Sequence, residues 1–158
     1  IGNATTLSED VLCNCDVDSR PLITLRLQTT LDMNGHTVKC TDSSTTNAEV
    51  CISLDFQSST VKDGTVANCD VGIEMKGVGG GHMVDNVAVT DSTVGIHVLS
   101  RDNVVLDSTI DAKEVGIKIE NSGALIEGND VTSQEGHGME FVEHLTEEKG
   151  GAAVITSV

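Results

Sequence analysis

One short pattern returns along the chain and decides what it can fold into. Val71-Gly72-Ile73, Val94-Gly95-Ile96 and Val115-Gly116-Ile117 each set a glycine between two β-branched residues. Looser versions stand at Val50-Cys51-Ile52 and His137-Gly138-Met139, and the steps between first residues are 21, 23, 21 and 22. A period of this length marks a solenoid, whose repeats bury their apolar rows only by stacking on one another.

Two more apolar rows keep the same register. Met33, Val61, Val84, Val105 and Ile126 form one, and Val38, Val66, Val89, Ile110 and Val131 follow it at a constant offset of five residues. Around the glycines the alternation has period two, so that Ile73 and Met75 face inward while Glu74 faces out; His97 and Lys118 stand in the equivalent outward places. Between the second and third rows lie Asn34-Gly35, Asp63-Gly64, Asp85-Asn86, Asp107-Ser108 and Gly128-Asn129. Such residues tolerate left-handed backbone and suit a tight corner. Three short strands per coil, stacked at strand spacing of about 4.8 Å, give a parallel β-helix.

Leu31-Asp32-Met33-Asn34-Gly35-His36-Thr37, followed by the Gly-Ile coils, resembles the right-handed parallel β-helix proteins of the pectin-lyase-like superfamily, in particular their non-catalytic, repeat-rich members. The likeness spans residues 22–158. It implies an all-β, single-stranded parallel solenoid, right-handed like most parallel crossovers, of about six coils of 21–23 residues. Residues 1–21 are expected to form an N-terminal cap and an incomplete first coil. Residues 22–158 are expected to form the coils, with polar excursions at 39–48 and 143–151. The superfamily holds lyases, hydrolases, epimerases, adhesins and plain scaffolds, so the resemblance does not by itself name an activity.

Composition narrows the partners. Nine basic residues stand against 25 acidic ones, a net charge of −16, which argues against nucleic acid and anionic membrane surfaces. No apolar run approaches the eighteen or so residues of a membrane helix. Aromatic rings, which concentrate contact energy under a sugar, are limited to Phe56 and Phe141. The five cysteines, Cys13, Cys15, Cys40, Cys51 and Cys69, all lie in the N-terminal half. They read as disulfide staples in an oxidising, extracellular or cell-surface compartment, with one thiol left over for itself or another chain. Cys40 and Cys69 fall at the same corner of successive coils; the pairing stays open. Asn3-Ala4-Thr5 is a glycosylation sequon. The chain starts at Ile1 without Met and reads as a processed or trimmed product.

The outward row Ser53, Glu74, His97, Lys118, Glu140 is the face on which the resembled superfamily binds, and the next row is Asp55, Lys76, Leu99, Glu120, Val142. If the chain is an enzyme, Glu74, His97 and Lys118 are the catalytic candidates. A glycosidase needs clustered carboxylates that divide acid and base roles, and that cluster is missing. Alternating charge instead suggests a stabilising ladder: Glu74 against His97, Lys118 against Glu140, Asp55 against Lys76. His36, His82, His97, His137 and His144 are scattered, without ligand spacing. Asp85, Asp91, Asp107 and Asp111 read as charged corners rather than a calcium site, and no cofactor or metal is implied. Ala153 to Val158 recreates an anchor step and no capping element follows it, so either the sequence continues past Val158 or this end stacks head-to-tail on another copy. The reading favoured by the sequence is therefore a secreted, acidic structural or adhesion solenoid that self-associates into fibres. A carbohydrate-active enzyme or glycan-binding module is the alternative.

Overall fold

The period is realised as stacked parallel strands in a computed structural model, which describes residues 3–13, 21–41 and 50–142 in full and 154–156 as backbone. Cys15, His144, nearly all of the 39–48 excursion and the 143–151 excursion lie outside the described residues. Strands are numbered β1 to β17 in chain order. The first stretch of each coil supplies β3 (Ile23–Arg26), β6 (Val50–Asp55), β8 (Val71–Met75), β10 (Val94–Val98), β13 (Val115–Ile119) and β16 (His137–Phe141), which pair in that order as a six-stranded sheet. The second stretch supplies β1 (Ala4–Thr6), β4 (Thr30–Asp32), β7 (Thr60–Ala67), β9 (Met83–Thr90), β11 (Val104–Leu106), β14 (Leu125–Glu127) and β17 (Val154–Thr156). The third supplies β2 (Val11–Cys13), β5 (Thr37–Cys40), the far halves of β7 and β9, β12 (Thr109–Ala112) and β15 (Asp130–Ser133). The pairings are parallel throughout, and equivalent residues stack: Ile52 on Ile73, Ile73 on Ile96, Ile96 on Ile117. The protein is a right-handed, all-β parallel solenoid.

Its core is the set of inward columns. Ile52, Leu54, Ile73, Met75, Ile96, Val98 and Ile117 from the first sheet meet Val61, Val84, Val105 and Ile126 from the second and Val38, Val66, Val89 and Ile110 from the third, all at 0% exposure. β-Branched residues suit these columns because each side chain packs on a copy of itself one coil away. The corner between second and third rows needs a single left-handed residue: Asp63 (φ 57°), Asn86 (φ 52°) and Asp107 (φ 46°) bend the chain there.

One row departs from its sequence reading. Val61 stacks on Leu31, not on Met33. The first coil spends two extra residues at Asn34-Gly35, so its step from second to third row is longer, and Met33 becomes a buried corner residue lying against Gly64. Residues 4–13 lie in the stretch expected to hold the cap and an incomplete first coil, and there β1 stacks under β4 and β2 under β5.

Inside the corners a polar column replaces the apolar ones. Ser59, His82 and Asn103 are fully buried one above another. The Ser59 amide donates to His82 Nδ1 (3.2 Å) and the His82 amide donates to Asn103 Oδ1 (2.8 Å), so each side chain serves the coil beside it. Among the described residues no buried side-chain nitrogen or oxygen lacks a partner, which is what a desolvated turn requires.

Candidate functional site

The outer face of the six-stranded sheet brings the predicted residues together. Ser53, Glu74, His97, Lys118 and Glu140 are register neighbours on five successive strands. Their partners differ from the expected straight cross-strand pairs. Lys76 Nζ reaches Glu74 Oε2 at 2.7 Å on its own strand. Glu120 Oε1 takes both His97 Nε2 (2.9 Å) and Lys118 Nζ (3.1 Å). Residues two apart on one strand share a face, and a long side chain folds along the strand as easily as across it. Ser53 corrects the outward row in another way. It is fully buried, its hydroxyl 3.3 Å from Glu74 Oε2, because its short side chain lies beneath longer neighbours.

Electrostatics follow from these contacts. Hydrogen bonds from His97 and then Lys118 hold the Glu120 carboxyl below the ordinary carboxylate value, against a smaller opposing effect of burial. A carboxylate that accepts from both His97 and the Lys118 amine stays ionised and is a poor proton donor near neutrality. Burial works to lower Lys76, but pairing with Glu74 outweighs it and leaves the amine raised. On this face Glu74 is therefore paired with Lys76, and Glu120 with Lys118 and His97.

A second constellation forms where the third row turns toward the next coil. In β8, β10, β13 and β16 the residue before the inward isoleucine (Met139 in β16) is glycine, at positions 72, 95, 116 and 138. A Cβ at Gly95 would sit 2.4 Å from Ile110 Cγ2 and 2.5 Å from Gly116 O, which explains the bare column. In β6 that column holds Cys51, which is disulfide-bonded to Cys69. Cys40, likewise held in a disulfide, closes the group with its Sγ 3.2 Å from Cys69 Sγ. The three sulfurs lie within 4.8 Å of one another, and Cys40, Cys51 and Cys69 are 3%, 0% and 6% exposed. Among the described residues this is the one grouping of histidine, cysteine or carboxylate side chains close enough together for a metal ion, and all three sulfurs are in disulfides.

Sequence reasoning placed Cys40 and Cys69 at one corner but did not see three sulfurs converge. The signal was there: Cys51 occupies a glycine position, and its side chain has only that corner to enter. Cys13 is stacked in register with Cys40. Asn3 is exposed, and its carbonyl accepts from the Thr30 amide at 2.8 Å. Asp85, Asp91, Asp107 and Asp111 stand singly along the corners; Asp111 accepts from the Thr132 hydroxyl at 3.2 Å. Among the described residues no helix is long and apolar enough to cross a membrane.

Comparison with known proteins bears on the same geometry. No curated protein and no solved structure matches the chain. A family profile does, over residues 3–149, nearly the whole described solenoid, and its description is "Periplasmic copper-binding protein (NosD)". That description places the family outside the cytoplasm, the kind of compartment that the clustered cysteines imply. Stacked Gly-Ile coils and a profile match of this extent together make the chain a member of the NosD family of right-handed parallel β-helix proteins.

Proposed function

We propose that the chain is a non-catalytic solenoid module of an extracytoplasmic compartment, working as a scaffold whose coils stack on those of further copies. The observation that carries this reading is the state of the outer sheet face. Glu74, Lys118 and Glu120, with His97 beside them, each meet a partner of opposite or complementary character, and no carboxylate is arranged to divide acid and base roles. Stacking is supported by the sheet edges. A further coil would prolong the same parallel pairing that joins coil to coil; among the described residues β3 and β16 are the outermost strands of the six-stranded sheet.

Two measurements test the reading. Incubation with a panel of acidic polysaccharides is expected to give no cleavage or unsaturated product. Activity that disappears in the triple variant Glu74→Ala, His97→Ala, Lys118→Ala overturns it. Sedimentation at increasing concentration is expected to show assemblies that grow with concentration. A monomer at every concentration, oxidised and reduced alike, removes the assembly part.

A second reading, copper binding as in the family's description, has to be weighed at the corner where Cys40, Cys51 and Cys69 converge. Sulfur is a soft donor suited to monovalent copper. Cys51 and Cys69 are joined and Cys40 is held in a further disulfide, so the three sulfurs offer no thiolate and the group as it stands does not fit the ion.

A further inference from the structure

We propose that the ridge of Leu27, Phe56 and Val78 is a two-fold contact with a second copy of this chain, the two solenoids lying side by side in opposite directions. This contact is lateral and does not depend on end-to-end stacking.

The ridge forms where the first stretch of a coil turns into the second. Leu27 and Phe56 follow directly on the register pair Arg26 and Asp55, and Gly79 N donates to Phe56 O at 3.0 Å, so Val78 comes to the same place one coil on. The three side chains are 59%, 51% and 96% exposed. Elsewhere among the described residues the large exposed hydrophobics stand apart, Leu12 in β2 and Phe141 in β16. Single exposed apolar residues are ordinary on a protein surface, whereas a contiguous row marks a contact.

Backbone geometry separates this row from accident. Leu27 has φ 41° and Phe56 φ 72°. Left-handed backbone costs a bulky residue about 1–2 kcal/mol, and neither side chain recovers that by burial. In later coils left-handed places at this corner are held by Gly77, Asp102 and Gly123, residue types that turn the chain with less strain. Val78 is held out on a fixed support. Ser58 N donates to Gly80 O (2.9 Å) and Gly81 N to Arg101 O (3.0 Å), so the glycine bulge is tied to the coils on both sides. Strain kept under an exposed apolar side chain points to function rather than folding.

Charge selects the occupant. The whole chain carries −16, so two copies repel over most of their surface. Along the ridge three bases, Arg26, Lys76 and Arg101, balance three acids, Asp55, Glu74 and Asp102. Their order is self-complementary. Arg26, Asp55 and Lys76 occupy successive coils, Lys76 N donating to Leu54 O at 2.9 Å. A two-fold axis between the coils of Phe56 and Val78 sets Phe56 on the partner's Val78, Asp55 on the partner's Lys76 and Arg26 near the partner's Asp102. Each contact then occurs twice, as in any isologous interface. Three apolar side chains fall short of the roughly 800 Å² per partner of a stable interface, so the dimer is weak and forms at high concentration.

The test uses the full chain with its disulfides intact. Sedimentation velocity over rising concentration is expected to show a step from one copy to two. Phe56→Asp and Val78→Asp, both at exposed positions, should remove that step and keep the far-ultraviolet circular dichroism. Asp55→Lys and Lys76→Asp should each weaken association about tenfold or more, because like charges then face each other. Mixing these two variants in equal amounts should restore it, since each supplies the charge that the other lacks. A wild-type chain monomeric at every concentration, pairs that survive Phe56→Asp, or a mixture no stronger than its components overturns the contact. An open-ended series that Phe56→Asp leaves unchanged overturns the ridge while leaving end stacking in place. Binding of the monomer to phosphatidylcholine vesicles or to an acidic oligosaccharide, lost in Phe56→Asp, overturns the second copy as occupant.

Discussion

A methyl group added at Gly95 would meet Ile110 Cγ2 at 2.4 Å and Gly116 O at 2.5 Å, whereas one added at Gly35 meets nothing within 4 Å. Gly35 keeps only a backbone demand, its φ of 80°. Gly95→Ala should therefore cost about 3 kcal/mol through overpacking, and Gly35→Ala about 1 kcal/mol through its left-handed backbone; urea denaturation of both variants ranks them. His82 makes a second residue-scale prediction. Its ring is fully buried, Nδ1 accepting from the Ser59 amide and Nε2 donating to the Lys76 carbonyl at 2.7 Å. Burial lowers its pKa from the ordinary 6.5, against weaker pulls from the Lys76 and Ser59 backbone and the Asp55 charge. A lowered folded-state pKa means that the unfolded chain binds the proton first. Stability is therefore full above pH 6.5 and falls as pH drops through 6.5 toward the folded value. The paired carboxylates Asp10, Asp32, Asp63 and Glu120, all lowered, give way only below their ordinary values of 3.8 to 4.5. Melting temperature followed from pH 7 to 5 should slope in the wild type and flatten in His82→Asn. Little of this was legible beforehand, because a lone histidine in a polar segment gives no sign that it faces inward.

Across an element, the outer face of the six-stranded sheet is a set of half-exposed ion pairs, and such pairs contribute about 0.2–1 kcal/mol each. The triple variant Glu74→Ala, His97→Ala, Lys118→Ala should keep its far-ultraviolet circular dichroism and lose only a few degrees of melting temperature. A larger loss would mean that the ladder, rather than the core columns, organises the sheet. A double-mutant cycle between His97 and Glu120 should show coupling, and one between His97 and Glu74 little, because Glu120 is the carboxylate within reach. The period and the alternation placed all five outward residues on one face correctly. Which of them touch was not written there, since side-chain length and rotamer choose between a neighbour along the strand and one across it. Ser53 and Met33 show the same limit. Strand parity cannot say that longer neighbours will cover Ser53, and a constant offset of five hides the two residues inserted before Val38.

At the scale of the whole molecule, coils touch only their neighbours, so stability is a sum of coil and interface contributions. Amides in β8 to β13 should exchange slowest, with protection declining toward both ends; hydrogen exchange read by mass spectrometry checks this. The Cys51–Cys69 bond joins positions separated by 18 residues, a loop worth about 3 kcal/mol of unfolded-state entropy. Reduction should lower the denaturation midpoint accordingly, and protection should fall first around β5 and β6. The architecture was the most legible level of all, because a solenoid repeats its physics and each coil confirms the last. Convergence of three sulfurs was not, since it depends on a corner shared by residues from two coils.

The single-residue corners have a consequence for how such a chain can change length. Since Asp63, Asn86 and Asp107 each turn the backbone alone, and a step from Val94 to Val115 closes one coil in 21 residues, a corner can absorb a few extra residues as Asn34-Gly35 does, but the strand columns themselves lengthen or shorten only by whole circuits. A tandem copy of residues 94–114 would push the two ends apart by about 4.8 Å and leave every column in phase. Removing half that number would set valines against aspartates along the remainder of the rod. Length here is counted in integers.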